Sequence, residues 1–260
     1  VSINENILNV SELNNAVEIA ESLTDDTTVI QLSLSDGATI NTGDESAFIT
    51  LLTNVENDQL TITDQNLIVD SGTLHVATAN DLDAITSGTV TADIATDSTI
   101  DSLVTLTGTN AYTIKISSLD LLGSTAEELI AIDNATTEIV DATAIFNIEG
   151  TYDQITLLYN SSGMSDLGNE NINIIGELSV IEANTLDALT EGTITGSISA
   201  SERVSSLIDL TGNNDYGITI SEEDALSSQV SDLNTINGKT TGLVNLTNVE
   251  SVTSSISDLQ

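Results

Sequence analysis

The stretch from Leu74 to Ser117 recurs without a gap as Leu178 to Ser221, with the same residue at 22 of 44 positions. The shared pieces include Ala79-Asn80 with Ala183-Asn184, Leu82-Asp83-Ala84 with Leu186-Asp187-Ala188, and Gly88-Thr89 with Gly192-Thr193. Leu106-Thr107-Gly108 returns as Leu210-Thr211-Gly212, and Tyr112 as Tyr216. The same offset of 104 residues carries Leu129, Ile132, Thr136, Thr137 and Val140 onto Leu233, Ile236, Thr240, Thr241 and Val244. Slipped by two, it carries Ile49-Thr50-Leu51-Leu52 onto Ile155-Thr156-Leu157-Leu158. A fixed internal period is the signature of a repeat architecture and outranks the division into domains that 260 residues would otherwise suggest.

Short helical patterns alternate with short strand patterns inside the repeat. Helices are expected at 11–23 (Ser11 as N-cap), 45–55, 79–86, 99–106, 126–132 and 152–159, and in the second copy at 183–189, 204–210, 230–236 and 252–259. Strands are expected at 28–34, 59–63, 67–69, 74–76, 89–94, 112–116 and 138–142, then at 178–180, 193–198, 216–220 and 243–246. Four helix–strand units in 104 residues give about 26 residues each, inside the range of leucine-rich-repeat coils. The expected fold is therefore an α/β repeat solenoid with a parallel sheet, at about 4.8 Å per coil. Residues 1–44 form divergent N-terminal coils, 45–148 the first repeat and 149–260 the second. The alternative is an all-β solenoid, which the Thr and Val content favours. The mixed coil is preferred because LDAITSG, ELIAIDN and DLNTING place Leu and Ile three apart before a Gly or Asn stop.

Composition limits function more than fold. Asp and Glu total 41 against 3 Lys and Arg (Lys115, Arg203, Lys239), a formal charge of −38. Such a chain repels phosphate backbones and anionic lipid surfaces, so neither nucleic acid nor membrane insertion is expected. It suits a salty setting, where charges are screened within roughly 8 Å, or one where divalent cations neutralise carboxylates. There is no Cys, hence no disulfide and no thiolate metal site, and no Pro. The core must be aliphatic, because aromatic residues are 2% of the chain and Trp is absent.

Candidate chemistry is sparse. His75 is the only histidine, so no histidine dyad can form within the chain. It occupies a strand pattern and its second-copy counterpart is Ser179, which places it on the solvent side. Carboxylates abound, but no aromatic or basic pocket is in sight to split a pair into acid and base, so no enzyme is expected. Ca2+ takes six to eight oxygens, and the oxygen-rich turns are Asp25-Asp26, Asp64-Gln65-Asn66, Asp166 with Asn169 and Glu170, and Glu222-Glu223-Asp224. None has the spacing of an EF-hand loop, and each also reads as a plain solvated turn. Thr61/Thr63, Thr89/Thr91 and Thr193/Thr195 hint at a flat ice-binding array, which Thr113-Ile114-Lys115 and Gly217-Ile218-Thr219 interrupt.

The phrases Leu186-Asp187-Ala188-Leu189-Thr190-Glu191-Gly192-Thr193-Ile194-Thr195-Gly196 and Asp232-Leu233-Asn234-Thr235-Ile236-Asn237-Gly238-Lys239-Thr240-Thr241-Gly242 resemble repeats of giant surface proteins of marine bacteria, cyanobacteria especially. Leu158 to Gly163, followed by Asp166-Leu167-Gly168-Asn169-Glu170, resembles the turn in those repeats. That family is often labelled haemolysin-type or calcium-binding. The resemblance runs from about residue 45 onward. It implies an extracellular or cell-surface fibrous protein with adhesion, coat or motility roles. The G-G-x-G-x-D nonapeptide behind the calcium label is absent here, so no ligand set is carried over. The chain stops in mid-cycle without a polar cap, which leads to the expectation that coils stack on flanking repeats or on copies of the chain itself. The rival expectations are an adhesin-type module for a glycan or protein ligand, and a phage or virus fibre.

Overall fold

In the computed structural model, residues 1–23, 30–117, 123–221, 224 and 228–254 are described. Chain contacts divide into two compact units. The first comprises Val1–Asp120, Glu128–Ala144 and Ser162–Ser165; the second comprises Leu121–Glu127, Ile145–Ser161 and Asp166–Gln260. Each mixes helices with strands, and every strand pair among the described residues is parallel. The class is therefore α/β, and the helices remove the all-β alternative.

The first unit shows a rhythm finer than the sequence suggested. β1 (Ser2–Ile3) is followed by β2 (Ile7–Asn9), which runs directly into α1 (Val10–Ser22). β3 (Leu32–Leu34), β4 (Thr39–Asn41) and α2 (Glu45–Glu56) repeat the order, as do β5 (Leu60–Thr61) and β6 (Asn66–Ile68). Each cycle thus holds two strands, not one. The first strands form one sheet, β1-β3-β5; the second strands continue with β7 (Val90–Asp93) and β8 (Ala111–Thr113) as β2-β4-β6-β7-β8. The inward row of that sheet is apolar and buried: Leu8, Ile40, Leu67 and Val90 are 7% exposed or less. α3 (Val76–Ile85), α4 (Ile100–Leu103) and most of α5 (Ala126–Asn134) complete the helices, with β10 (Val140–Asp141) and β12 (Met164–Ser165) as a further strand pair. Helices of one to three turns do not hold in isolation, so packing of Leu13, Val17, Phe48, Leu51, Ala79 and Leu82 must sustain them.

The second unit repeats the scheme with a six-stranded parallel sheet in the order β17-β15-β14-β13-β11-β9. These are β9 (Ser124–Thr125), β11 (Asn147–Gly150), β13 (Asn171–Leu178), β14 (Ile194–Ile198), β15 (Asp215–Thr219) and β17 (Val244–Asn245). Its helices are α6 (Tyr152–Tyr159), α7 (Val180–Asp187), α8 (Val204–Leu207) and α9 (Val230–Asn237). β16 (Ser228–Gln229) and β18 (Val252–Thr253) pair separately. Capping boxes open α6, from Thr151 and Gln154, and α7, from Ser179 and Glu182.

Several sequence expectations are corrected. Leu74–Val76 is not a strand: Leu74 makes one isolated bridge to Ile94, and Val76 starts α3. Leu178 closes β13, and α7 begins at Val180. The cap of α1 is Asn9, two residues before the expected Ser11; its Oδ1 accepts from the amides of Ser11 and Glu12. Val252–Thr253, expected to open a helix, is a strand, in keeping with two β-branched residues. The rest of that expected helix from 255 onward lies outside the described residues, as do the first residues of the strand expected at 28–34.

The repeated residues are repeated contacts. Asn110 is 2% exposed; its Oδ1 accepts from the Val90 amide at 2.9 Å and its amide donates to Asp83 Oδ1 at 2.8 Å. Asn214 does the same with Ile194 and Asp187 at 2.9 and 2.8 Å. Thr136 Oγ1 accepts from the Tyr112 amide at 3.0 Å and donates to the Tyr112 carbonyl at 2.7 Å, and Thr240 treats Tyr216 alike at 2.9 and 2.8 Å. Gly108 and Gly212 sit at φ of 69° and 67°, and a Cβ on either would strike the carboxylate of Asp83 or Asp187. Beside the buried Tyr112 and Tyr216 stand small partners, Ala92 and Gly196, in register.

This network predicts that Asn110→Ala destabilises the first unit by about 2–3 kcal/mol, since it strands a buried amide and a carboxylate acceptor. Asn214→Ala should do the same to the second unit. Urea unfolding followed by circular dichroism measures both; losses under about 0.5 kcal/mol at both sites, the range of ordinary surface changes, would contradict it.

Candidate functional site

The acidic turn singled out by sequence, Asp166 with Asn169 and Glu170, is held by backbone geometry. Asp166 has φ 63° and Gly168 φ 127°, and the Gly168 carbonyl accepts from the Glu191 amide at 2.8 Å. Asp166 and Asn169 are exposed, whereas Glu170 is 2% exposed. One Glu170 oxygen, Oε2, accepts from the Tyr159 hydroxyl at 2.7 Å and from the Gly168 amide at 2.8 Å. Burial, reinforced by that carboxylate, pushes the Tyr159 phenol well above its ordinary range. The turn thus splits into two exposed oxygen donors and a carboxylate committed to interior donors.

The first unit holds a neutral counterpart. Gln65 is 1% exposed; its Oε1 accepts from the Thr63 amide at 2.7 Å and its Nε2 donates to the Ser35 carbonyl at 3.0 Å. The Gln65 carbonyl accepts from Thr86 Oγ1 at 2.6 Å, and the Glu170 carbonyl from Thr190 Oγ1 at 2.7 Å. Gly88 and Gly192 lie so close to these carbonyls that a Cβ would overlap them. One position therefore takes an amide or an acid, provided that two donors meet its oxygen. Asp64, in the same turn as Gln65, accepts from the Gly37 amide and from Gln65 Nε2, both at 3.0 Å.

The remaining candidates are dispersed. Asp25, Asp26, Glu222 and Glu223 lie outside the described residues. Asp224 Oδ2 accepts from the Val204 amide, the first residue of α8, at 2.8 Å. Among the described residues no three His, Asp or Glu side chains gather as a metal-holding group. No described helix is long and apolar enough to cross a membrane.

His75 is exposed and precedes α3. Its Nδ1 lies 2.7 Å from Glu45 Oε2, and its backbone amide donates to Glu45 Oε1 at 3.1 Å. Glu45 therefore fixes both ends of one residue from the start of α2. The hydrogen bond and the charge of Glu45 raise the His75 pKa above 6.5. Burial pushes the Glu45 carboxyl up, but hydrogen bonds from Thr78 and His75 outweigh it and leave it below 4.5. Ser179, the second-copy counterpart, instead closes a capping box. Lys115, one of three cations, lies 2.9 Å from Asp141 Oδ2. Hydrogen bonds from Thr143 and then Lys115 hold Asp141 down at about 2. An open groove of about 550 Å³ runs beside this pair, lined by Thr96, Ile116, Ser117, Thr143 and Ala144.

The outward face of the second unit's sheet is a polar row. Thr125, Glu149, Asn173, Thr195 and Asp215 stand in register on adjacent strands, and Asn173 donates to Glu149 at 2.6 Å. Asn147 and Asn171 form a parallel rung at 3.1 Å, and a shallow groove of about 330 Å³ lies over this part of the sheet. Tyr112 and Tyr216, the aromatic pair that the two copies share, are wholly buried and offer a ligand nothing. No protein-family model, no curated protein and no solved structure matches the chain.

The His75–Glu45 pair has a definite pH signature. Raised His75 contributes stability that is complete below 6.5 and is lost as pH rises through its folded-state value. Lowered Glu45 contributes stability that is present above 4.5 and is lost as pH falls through its folded-state value. NMR titration of the single histidine should give a pKa above 6.5 that returns toward 6.5 in Glu45→Gln; an unchanged value in that variant would contradict the pairing.

Proposed function

We propose that the chain is a section of an elongated α/β solenoid that serves as a structural repeat of an extracellular or cell-surface fibre, filament or coat. The observation that carries the reading is the recurrence, 104 residues apart, of one hydrogen-bond network on consecutively stacked parallel strands, as at Asn110 and Asn214. A fold whose repeated contacts hold one cycle to the next is suited to length and stiffness. The polar, aromatic-poor outward row from Thr125 to Asp215 supports the same reading, because a binding pocket would bring apolar surface and convergent polar groups together. A charge of −38 fits a setting in which salt or divalent cations screen neighbouring cycles. Calcium enters through the exposed members of the acidic turns, Asp166 and Asn169 among them.

The adhesin reading draws on the groove over Asn147, Glu149 and Asn173, where a glycan or protein ligand would meet the sheet. Electron microscopy of the untagged protein in calcium and then in chelator separates these readings. Long filaments with an axial repeat on the scale of one cycle are expected, and their loss in chelator assigns a role to calcium. Compact single particles in both conditions would overturn the fibre reading in favour of a binding module.

A further inference from the structure

The shallow groove over β9, β11 and β13 in the second unit keeps hydrogen-bonding capacity that the fold does not use. Asn147 spends its Oδ1 on the Asn171 side-chain amide at 3.1 Å, and Glu149 spends its Oε2 on the Asn173 side-chain amide at 2.6 Å. Asn147, Glu149 and Asn173 are all exposed. Among the described residues, Asn147 Nδ2, Glu149 Oε1 and Asn173 Oδ1 have no further partner. Gly123 keeps one side of the groove open: its φ is 89°, and a Cβ there would come within 3.3 Å of the Asn147 side chain.

These spare groups specify a ligand. Glu149 Oε1 calls for a donor, and a cationic one is drawn in best, because the chain carries a charge of −38 and none of its three Lys and Arg lines the groove. Asn147 Nδ2 calls for an acceptor, which an ammonium group lacks and a hydroxyl supplies. Asn147 and Glu149 lie two residues apart on one face of β11, about 6.6 Å, the span of one substituted six-membered ring. A volume of about 330 Å³ is at the small end of ligand sites. No aromatic side chain lines the groove, and its one aliphatic residue, Ile148, is 1% exposed. Ring stacking and an acetyl methyl therefore find no apolar wall, and an acidic sugar meets repulsion from Glu149.

We infer that the groove binds an amino sugar with a free ammonium group, Glu149 taking the ammonium and Asn147 and Asn173 the hydroxyls. This rests on the reading of the groove as a ligand site and deepens it by naming the class, the unacetylated hexosamine unit of a glycan. The site serves a fibre or a separate module equally well.

The test is an NMR titration of the whole chain, read at the side-chain amides of Asn147 and Asn173. About 0.15 M salt, with a screening length of roughly 8 Å, limits diffuse counter-ion binding. The probes are a glucosamine trimer, its fully N-acetylated form, a uronic acid trimer and a lysine trimer. The glucosamine trimer should give saturable shifts at both amides, and the other three should bind more weakly or not at all. Glu149→Gln, which keeps an acceptor for Asn173, should weaken glucosamine binding about threefold or more, as loss of an exposed ion pair does. Asn147→Ala should weaken it as well, with circular dichroism confirming that both variants fold. Equal binding of the N-acetylated, uronic acid or lysine probe, or an unchanged Glu149→Gln, would overturn the assigned class and leave the groove a ligand site. Shifts spread over the acidic surface without saturation would overturn the inference as plain counter-ion binding. Silence at both amides with every probe would overturn the groove as a ligand site, and with it the adhesin reading, while the fibre reading stands or falls by microscopy.

Discussion

A buried asparagine amide is the point on which helix, turn and strand converge in both copies. Asn110 reaches back to Asp83 near the end of α3 and takes the Val90 amide at the start of β7. Without that bond, the first amide of an inward-facing strand would be buried with no acceptor, at a cost of about 1–3 kcal/mol. The neighbouring features follow from it. Asp83 must stand where the amide can reach, so Gly108 must lack a Cβ and adopt positive φ. Thr136 then repeats the device one cycle on, with a hydroxyl that both accepts from and donates to the Tyr112 backbone. Asp187, Gly212, Asn214 and Thr240 rebuild the set.

The excess of acid acquires a local meaning in this light. Carboxylates serve as acceptors for backbone amides at helix entrances, where an anion also meets the positive end of the helix dipole. Glu202 takes the Val180 amide, Asp224 that of Val204, and Asp70 those of Thr42 and Gly43 ahead of α2. In each case the acid comes from a later point in the chain than the helix it supports, so it binds successive cycles together. Basic residues are absent from the last turn of the described helices whose termini are characterised. Such a chain gains from acidity at every cycle and accumulates self-repulsion as it lengthens, which makes ionic strength a condition of its stability.

The repeat and the residues that anchor it were legible in the sequence, since Asn, Asp, Gly and Tyr recur at fixed offset. The second strand of the first cycles was not, because Ile7–Asn9 and Thr39–Asn41 are three residues long and carry too little alternation to detect. β13 went unread for a different reason. Its Asn171-Ile172-Asn173-Ile174 alternates as a half-buried strand should, but it follows a turn rich in the same residue types. Glu170 was singled out as a cation ligand because acid in a Gly-rich turn suggests exposure. Its burial depends on Tyr159, eleven residues earlier, which only the folded chain brings within reach.

The amides of Val90 and Ile194 test the central claim most directly, because their protection depends on side chains 20 residues away. Native-state hydrogen exchange followed by NMR should find both as slow as the ladder amides of Leu67 and Ile172, which pair with backbone carbonyls. Exchange at the rate of exposed turn amides would show that Asn110 and Asn214 do not hold the strands, and the account built on them would fail.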